Sequence, residues 1–460
     1  MNTSDQIHQP PKSSTRSIQK LLRQRWLIVV IALALTGLGA ALTGVLFTAG
    51  IYQVDKWRLA LLNEIPPWLL LPALGGLGGL IAGSLITKLA PEAGGSGVTH
   101  IMAFLRHRSV PMGLRVGIVK LFTGIVSIGS GFPLGPEGPA IQMGGSVAWK
   151  MAQLLKAPIA FRRVIVAAGG GAGLAAIFSA PIGGFIYAIE ELLNSARPVV
   201  LLLVVVTTFW ADTWADVLQA FGLNPNAGGF DSNLGFQVQR QYTHLVEFLP
   251  IDVGYLIALG IIIGCMAEIY CKYVLTMQER GKIWFGNRLT LKMSLCGLIL
   301  GEIYSFLPNE FHNMTQLKQV IVEGNVDITM TLTIFIALFI TTGLAAASGA
   351  PGGLFYPMLI LGGSLGLACN YWAITMTGYV PSTFVFAGMG AFVAACSRTP
   401  ITAMFLAFAL TKDLLILKPL LVTCITSFLV ARLFNKHSIY EKDFNRIRFI
   451  SKLYPWASKN

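Results

Sequence analysis

The sequence predicts an all-α integral membrane protein, and three observations support that prediction. Hydrophobic residues make up 54% of the 460 residues and charged residues only 12%, whereas soluble globular domains carry roughly 25% charged residues. Mean hydropathy is +0.66. Apolar runs, each near the roughly 20 residues that a helix needs to cross the hydrocarbon core, recur along the chain. They begin near Leu27, Trp68, Val116, Val164, Val199, Val253, Leu295, Thr329, Gly352, Val385 and Leu414.

The first two runs are predicted to be ordinary membrane helices. The first follows a polar segment, residues 1–26, and continues well past the length of a signal-peptide core without a clear cleavage site. The second contains Gly75-Gly76-Leu77-Gly78-Gly79. This string lacks the strand–turn–helix context of a nucleotide-binding loop, so it indicates close helix packing.

Basic residues are concentrated at the two ends of the chain. Those before the first run are Lys12, Arg16, Lys20, Arg23 and Arg25, and those after the last are Arg432, Lys436, Lys442, Arg446, Arg448, Lys452 and Lys459. Short segments rich in Lys and Arg stay on the cytoplasmic side. The pattern therefore predicts cytoplasmic termini, residues 1–26 and 441–460, and a cytoplasmic loop with Arg106, Arg108 and Arg115. The net charge of +13 reflects this topology and does not indicate a nucleic-acid partner.

The sequence shows no pattern of an enzyme or of a cofactor site. A nucleotide-binding loop, a catalytic triad and cysteines at metal-ligand spacing are all missing from it. The six cysteines stand in apolar segments and are predicted to serve packing. They are Cys265, Cys271, Cys296, Cys369, Cys396 and Cys424.

Glu137 is the residue that most needs a functional explanation. It stands in an apolar stretch, inside Gly135-Pro136-Glu137-Gly138-Pro139. A carboxylate at bilayer depth costs at least about 2.5 kcal/mol, so it usually faces a cavity, an ion path or a proton relay. The prolines suit the first turn of a helix, and the glycines let the backbone approach a ligand. The pentapeptide therefore predicts a helix that begins within the membrane and presents an anion site, which the carboxylate itself can fill.

An internal repeat relates the two halves of the chain. Residues 168–182 match residues 387–401 without a gap, and Glu137 corresponds to Phe355 within residues 353–357. Repeats with interrupted helices at corresponding positions are typical of secondary transporters, and the interruptions point to the binding site. The repeat predicts that two helix starts, one from each half, face a single anion. Two kinks that serve packing alone are the alternative.

Three motifs resemble those of the CLC family of chloride channels and chloride/proton antiporters. They are Ala90-Pro91-Glu92-Ala93-Gly94-Gly95-Ser96-Gly97-Val98, the gating-glutamate motif around Glu137, and Ser348-Gly349-Ala350-Pro351-Gly352-Gly353-Leu354-Phe355-Tyr356-Pro357. The resemblance extends from about Leu27 to Tyr440 and is to the prokaryotic type, without cytoplasmic nucleotide-binding domains. It implies a CLC-type inverted repeat of tilted and re-entrant helices, with halves at about 27–225 and 250–440. It also implies a homodimer with one pathway in each subunit.

The serine of the first motif has two candidates. Gly129-Ser130-Gly131-Phe132-Pro133 is closer to the family's usual Gly-Ser-Gly-Ile-Pro than the stretch around Ser96 is. In the family, however, the serine lies one full span before the gating glutamate, and Ser130 is too near Glu137. The resemblance therefore implies that Ser96 donates its hydroxyl to a chloride ion, in place of lost water. A serine bonded to its own helix is the structural alternative.

The resemblance implies the remaining chloride ligands. Tyr440, in Lys436-His437-Ser438-Ile439-Tyr440, resembles the family's C-terminal tyrosine, whose hydroxyl is the second side-chain donor; an interfacial anchor is the alternative. Backbone N–H groups of Leu354 and Phe355 would complete the central site, and Gly138 adjoins the gate. Such dipoles bind an anion yet allow it to leave.

Two adjacent carboxylates, Glu190 and Glu191, end the run that begins at Pro181. Neighbouring residues on a helix point in different directions, so the two are not a catalytic dyad. Glu191 resembles the family's internal proton glutamate and Glu190 the acidic residue beside it; a solvated helix end is the alternative. Family channels generally lack the inner carboxylate, so Glu191 favours an antiporter.

Three positions depart from the family pattern. Pro136 stands where many relatives carry Lys or Arg, and it supplies neither a charge nor an N–H group. Thr99 replaces a proline that often follows the serine motif. Ala409 replaces a glutamate that would be a partner for Glu190.

These observations predict a chloride/proton antiporter, with no cofactor, metal or nucleic acid, in a bacterial inner membrane. Glu137 would act as gate and proton carrier, Glu191 as internal proton relay and Glu190 as its support. A passive chloride channel of the same family is the runner-up. A fluoride-selective relative is disfavoured because Ser96 and Tyr440 match the chloride pattern, and a membrane-embedded enzyme because no nucleophile or metal constellation is present.

Overall fold

The structure, a computed structural model, describes residues 12–106, 110–194, 197–223, 248, 250–324, 326–377 and 383–445. Regular structure within these ranges is helical, apart from one isolated antiparallel bridge. The all-α prediction is confirmed. Residues 1–11 and 446–460, together with Arg108, entered the prediction of topology and lie outside the described residues.

The described part of the first half contains eight helices, which are α1 (Lys12–Leu61), α2 (Pro67–Leu89), α3 (Val98–Leu105), α4 (Leu114–Gly129), α5 (Glu137–Leu154), α6 (Ile159–Phe178), α7 (Pro181–Tyr187) and α8 (Pro198–Ala220). A short 3-10 turn, Pro91–Ala93, precedes α3, and α7 continues as a π-helix, Ala188–Leu193. Three of these helices, α2, α7 and α8, begin with a proline. Proline fits there because the first N–H groups of a helix have no partner within it.

The second half also has eight helices, α9 (Asp252–Phe285), α10 (Leu289–Ser305), α11 (Met314–Glu323), α12 (Ile328–Ser348), α13 (Phe355–Thr377), α14 (Phe384–Ser397), α15 (Pro400–Thr411) and α16 (Leu417–Phe434). Short 3-10 turns, Asn309–His312 and Leu414–Ile416, lie before α11 and α16. After α16 the chain turns, and residues 439–445 are again helical.

Eight helices of the described part are long and apolar enough to cross a membrane. The other three of the predicted apolar runs, those near Val116, Leu295 and Val385, form α4, α10 and α14, which have only 16, 17 and 14 residues. Helices of this length do not span the hydrocarbon core unaided. The chain is therefore a multi-pass integral membrane protein in which some helices stop short of a full crossing.

The internal repeat is visible as one helix pair built twice. In the first half α5 packs against α6, and a Cβ atom placed on Gly144 would lie 2.1 Å from the carbonyl oxygen of Gly169. In the second half α13 packs against α14, and the corresponding distance, from Gly362 to the Gly388 carbonyl oxygen, is 2.2 Å. Backbones approach this closely only where neither residue carries a side chain.

The glycine string of the second run has the packing role that the sequence predicted. A Cβ atom on Gly75 would lie 2.2 Å from the carbonyl oxygen of Gly297, and one on Gly79 would lie 2.3 Å from that of Met293. Both contacts join α2 to α10. The glycines therefore bring two helix backbones into contact, as small residues commonly do in membranes.

Candidate functional site

The two helix starts of the repeat meet at a pair of glycines. The N–H of Gly135 donates to the carbonyl of Gly353 at 2.9 Å, and the N–H of Gly353 donates back at 2.7 Å. These residues occupy equivalent positions in the two halves and form the antiparallel bridge. Equivalent residues that pair reciprocally in this way are related by a local two-fold axis. It places the N-termini of α5 and α13 side by side.

The carboxylate of Glu137 lies at the N-terminus of α13. The side chain is fully buried, and Oε1 accepts the N–H of Phe355 at 2.5 Å and that of Tyr356 at 3.4 Å. Cβ atoms on Gly135 and Gly353 would lie 2.0 and 2.1 Å from its two oxygens, so only glycine leaves room for the carboxylate. Free N–H groups and the positive end of the helix dipole stabilise a negative charge here.

Ser96, and not Ser130, reaches this point. A Cβ atom on Gly138 would lie 2.8 Å from Ser96 Oγ and 3.1 Å from the Cα of Gly353, so all three motifs converge at the start of α5. Ser96 Oγ is buried and has no hydrogen-bond partner among the described residues. Ser130 ends α4, and its hydroxyl donates to the carbonyl of Ser127 at 3.0 Å.

A buried lysine fixes the loop that carries Ser96. Lys120 is fully buried in α4, and its ammonium donates to the carbonyl of Ala93 at 2.9 Å and also to that of Gly95. The N–H of Gly95 donates to the carbonyl of Gly349 at 2.8 Å, which ties the first motif to the third. These bonds give a buried polar group its partners and hold the loop with Ser96 in place.

Two tyrosine rings enclose Phe355. Tyr440 and Tyr187 each pack edge-to-face on the Phe355 ring, with centroids 5.7 Å away in both cases. Both tyrosines are buried, and both hydroxyls lack a partner in the described part of the chain. With Ser96 Oγ they make three buried donors without acceptors near one helix N-terminus. An unpaired buried hydroxyl costs about 1–3 kcal/mol, which indicates a ligand or water there.

Glu191 lies further along, in the π-helix that follows α7. It is buried, and its Oε1 accepts the hydroxyl of Ser438 at 2.8 Å. The same Ser438 oxygen accepts the N–H of Glu441 at 3.1 Å. The carboxylate of Glu441 pairs with Arg106 at 2.7 Å and sits 2.8 Å from His437. These last side chains are partly exposed, so polar groups follow one another from Glu191 towards the surface.

Glu190 points to a different helix. Its Oε2 accepts both the N–H and the hydroxyl of Thr402, at 2.9 and 2.8 Å, and Oε1 accepts the N–H of Ile401 at 3.4 Å. The carboxylate therefore caps the N-terminus of α15.

The geometry adds residues that sequence reasoning did not assign. Tyr356 is a second N–H donor to Glu137, beside Phe355. The other additions lie inside or near segments already singled out, but only their contacts across the fold reveal them. They are Lys120, Tyr187, Thr402 and Ser438.

Together these features define a multi-pass membrane transport protein whose two inverted halves meet at a buried carboxylate. Comparison with known proteins agrees. Residues 78–432 match the family described as voltage gated chloride channel. The H(+)/Cl(-) exchange transporter ClcA of Cronobacter sakazakii (strain ATCC BAA-894) is 32% identical over 444 residues, 92% of this chain and 90% of that protein. ClcA of Yersinia pestis is 31% identical over 431 residues, 90% of this chain and 86% of that protein.

Solved structures share the fold. The X-ray crystal structure of a slow cyanobacterial Cl-/H+ antiporter is 26% identical, with a TM-score of 0.79, and the match covers 91% of this chain and 98% of that one. The crystal structure of a CLC-type fluoride/proton antiporter has a TM-score of 0.70 at 17% identity, covering 90% and 96%, which is a likeness of fold alone. The chain belongs to the CLC family, and it is a transporter-family protein, not an enzyme. The resemblance seen in the sequence is confirmed.

Proposed function

We propose that this protein exchanges chloride for protons across the membrane. The observation that carries the proposal is the position of the Glu137 carboxylate, which occupies the N-terminus of α13 where an anion would otherwise bind. The relatives named as H(+)/Cl(-) exchange transporters support chloride and protons as the transported ions.

Protonation of Glu137 opens the gate. As a carboxylate it competes with chloride for the same N–H groups. Once it takes a proton on the unpartnered Oε2, the side chain is neutral and loses its attraction to the helix N-terminus. It then swings away, and chloride enters. The proton travels with the side chain, which couples the two ions.

The central chloride site lies beside the gate. Its side-chain donors are the hydroxyls of Ser96 and Tyr440, and the N–H groups of Leu354 and Phe355 complete it, with Gly138 leaving room at the start of α5. The donors are uncharged, so they bind chloride without trapping it. The two unpartnered hydroxyls are the observation behind this assignment.

Glu191 carries the inner leg of the proton route. It is buried behind Ser438 and is connected through Glu441 to the partly exposed pair of Arg106 and His437. Protons therefore have a path that differs from the chloride path. A passive channel, the second candidate, needs no such carboxylate, so the buried Glu191 favours the antiporter. Glu190 supports the segment by capping α15.

Chloride is favoured over fluoride among the possible anions. A fluoride/proton antiporter shares the fold, but at its level of identity it brings no site residues. Ser96 and Tyr440 resemble the two hydroxyl ligands of the chloride-transporting members of the family, and this resemblance supports chloride as the anion.

Both termini are proposed to face the cytoplasm of a bacterial cell, with residues 27–440 in the inner membrane as a homodimer. Arg106, in the loop predicted to be cytoplasmic, pairs with Glu441 at the start of the C-terminal segment. The loop and the segment therefore share one face, as the positive-inside rule requires.

Purified protein in liposomes tests the proposal. An imposed chloride gradient should drive protons against their own gradient, with no other protein present. Chloride flux without uphill proton movement would instead support the passive channel. Uphill proton movement driven by a fluoride gradient but not by a chloride gradient would identify fluoride, and not chloride, as the transported anion.

A further inference from the structure

Tyr187 is a buried hydroxyl that the mechanism above leaves without a task. It is the last residue of α7, its side chain is 0% exposed, and its hydroxyl has no partner in the described ranges. Buried tyrosines away from the site are satisfied: Tyr270 donates to Thr342 at 3.2 Å and Tyr304 to Thr341 at 2.9 Å. Tyr440, which packs on the same Phe355 ring, shares the unpaired state with Tyr187, so that state belongs to this site and not to buried tyrosines in general.

Tyr187 lies near both glutamates of the proposed exchange. Tyr187 stands four residues before Glu191, about one helical turn, so the two side chains share a face. It interacts electrostatically with Glu191 and with Glu137. Its ring packs against Phe355, whose N–H holds the Glu137 carboxylate.

A phenol suits this place because it both donates and accepts a hydrogen bond. Glu137 offers a matching acceptor, since its Oε2 is buried and has no partner among the described residues.

We propose that Tyr187 passes protons between Glu191 and Glu137. The phenol oxygen takes the proton of protonated Glu191 while its own O–H proton leaves for Oε2 of Glu137. One carboxyl O–H bond breaks and another forms, and the tyrosine is regenerated as it was. The net change is the transfer of one proton from the inner to the outer glutamate. The inference rests on the proposed antiport.

Tyr187→Phe removes the hydroxyl and keeps the ring on Phe355. In liposomes, chloride turnover and calorimetric chloride affinity should stay as in the unmutated protein, while uphill proton flux falls by at least about tenfold, since a positioned acid–base group contributes that much or more. Tyr304→Phe is the matched control, because it also removes a buried hydroxyl, one bonded to Thr341. It should leave the proton-to-chloride ratio unchanged.

Each other outcome has a distinct meaning. An unchanged proton-to-chloride ratio in Tyr187→Phe overturns the relay. A loss of chloride affinity with the ratio preserved also overturns it and makes Tyr187 an anion ligand. If the unmutated protein moves no protons against their gradient, the proposed antiport itself is wrong, and the same experiment shows this. Should Tyr187→Phe not assemble, Tyr187→Met fills the space without a hydroxyl and must give the same selective loss of proton flux.

Discussion

At the scale of single residues, the charge of Glu137 decides whether the N-terminus of α13 is free. Its carboxylate is held by two N–H groups and by the space that two glycines leave. Such a gate needs no large rearrangement of helices, because one proton changes the affinity of one side chain for a fixed dipole. The same residue that closes the site therefore carries the proton that opens it.

Glu137→Gln keeps the size of the side chain and removes its titration. We expect chloride transport to be retained or faster, uphill proton transport to be abolished, and the pH dependence of chloride flux to become flat. Parallel chloride and proton flux measurements in liposomes at several pH values check this. Glu92→Gln, in the loop before Ser96, is the control and should behave like the unmutated protein. A Glu137→Gln protein that still moves protons uphill would remove Glu137 from the mechanism.

Glu191 and Glu190 offer a second residue-scale comparison within one helical turn. Glu191→Gln should lose proton flux and retain chloride flux, because the amide cannot titrate while the chloride donors remain. Glu190→Gln should be milder on coupling, since an amide oxygen can still accept from Thr402 at the start of α15. Flux assays on both variants decide the point. Robust uphill proton transport by Glu191→Gln, or equal loss in both, would contradict the assignment.

At the scale of elements, the helices that stop inside the molecule matter more than those that cross it. α5 and α13 begin at the glycine pair, among buried residues, and α7 ends beside Phe355. Glycines in these helices do two different jobs. Some bring backbones into contact, as Gly362 does with Gly388, whereas Gly353 makes room for a side chain, the carboxylate of Glu137.

Replacing Gly353 or Gly362 with alanine should have different effects, on gating in the first case and on folding in the second. A Cβ atom on Gly353 would meet the flexible Glu137 side chain at 2.1 Å, so Gly353→Ala should displace the carboxylate and lower the proton-to-chloride ratio in a folded protein. A Cβ atom on Gly362 would meet the backbone oxygen of Gly388 at 2.2 Å, which cannot move away easily. Gly362→Ala should therefore cost about 1–3 kcal/mol of stability, as overpacking does. Gel filtration, thermal unfolding and flux assays compare the two variants. An unchanged proton-to-chloride ratio in Gly353→Ala would argue that the added methyl group does not displace the Glu137 carboxylate.

At the scale of the whole molecule, the sequence pattern predicted the membrane fold and the family. It did not predict which residues bond to one another at the site. Each apolar run forms a helix, but α4, α10 and α14 are too short to span the hydrocarbon core. The sequence did not show this, because the hydropathy of a run does not reveal where a helix ends inside the fold. The hydrogen-bond partners of Glu190 and Glu191 could not be predicted from the sequence either. Ser438 meets Glu191 across 247 positions of the chain and Thr402 meets Glu190 across 212.

Because the site forms where both halves meet, chloride should stabilise the whole protein. A ligand that binds only the folded state adds about 2.7 kcal/mol at one hundred times its dissociation constant. We expect chloride to raise the apparent melting temperature in detergent relative to a bulky anion at equal ionic strength. Ser96→Ala removes one donor to a charged ligand, worth about 1.5–3 kcal/mol, so its chloride-dependent shift should shrink. Ser130→Ala, whose hydroxyl bonds to its own helix, should keep the full shift; the opposite pattern would move the chloride site to Ser130.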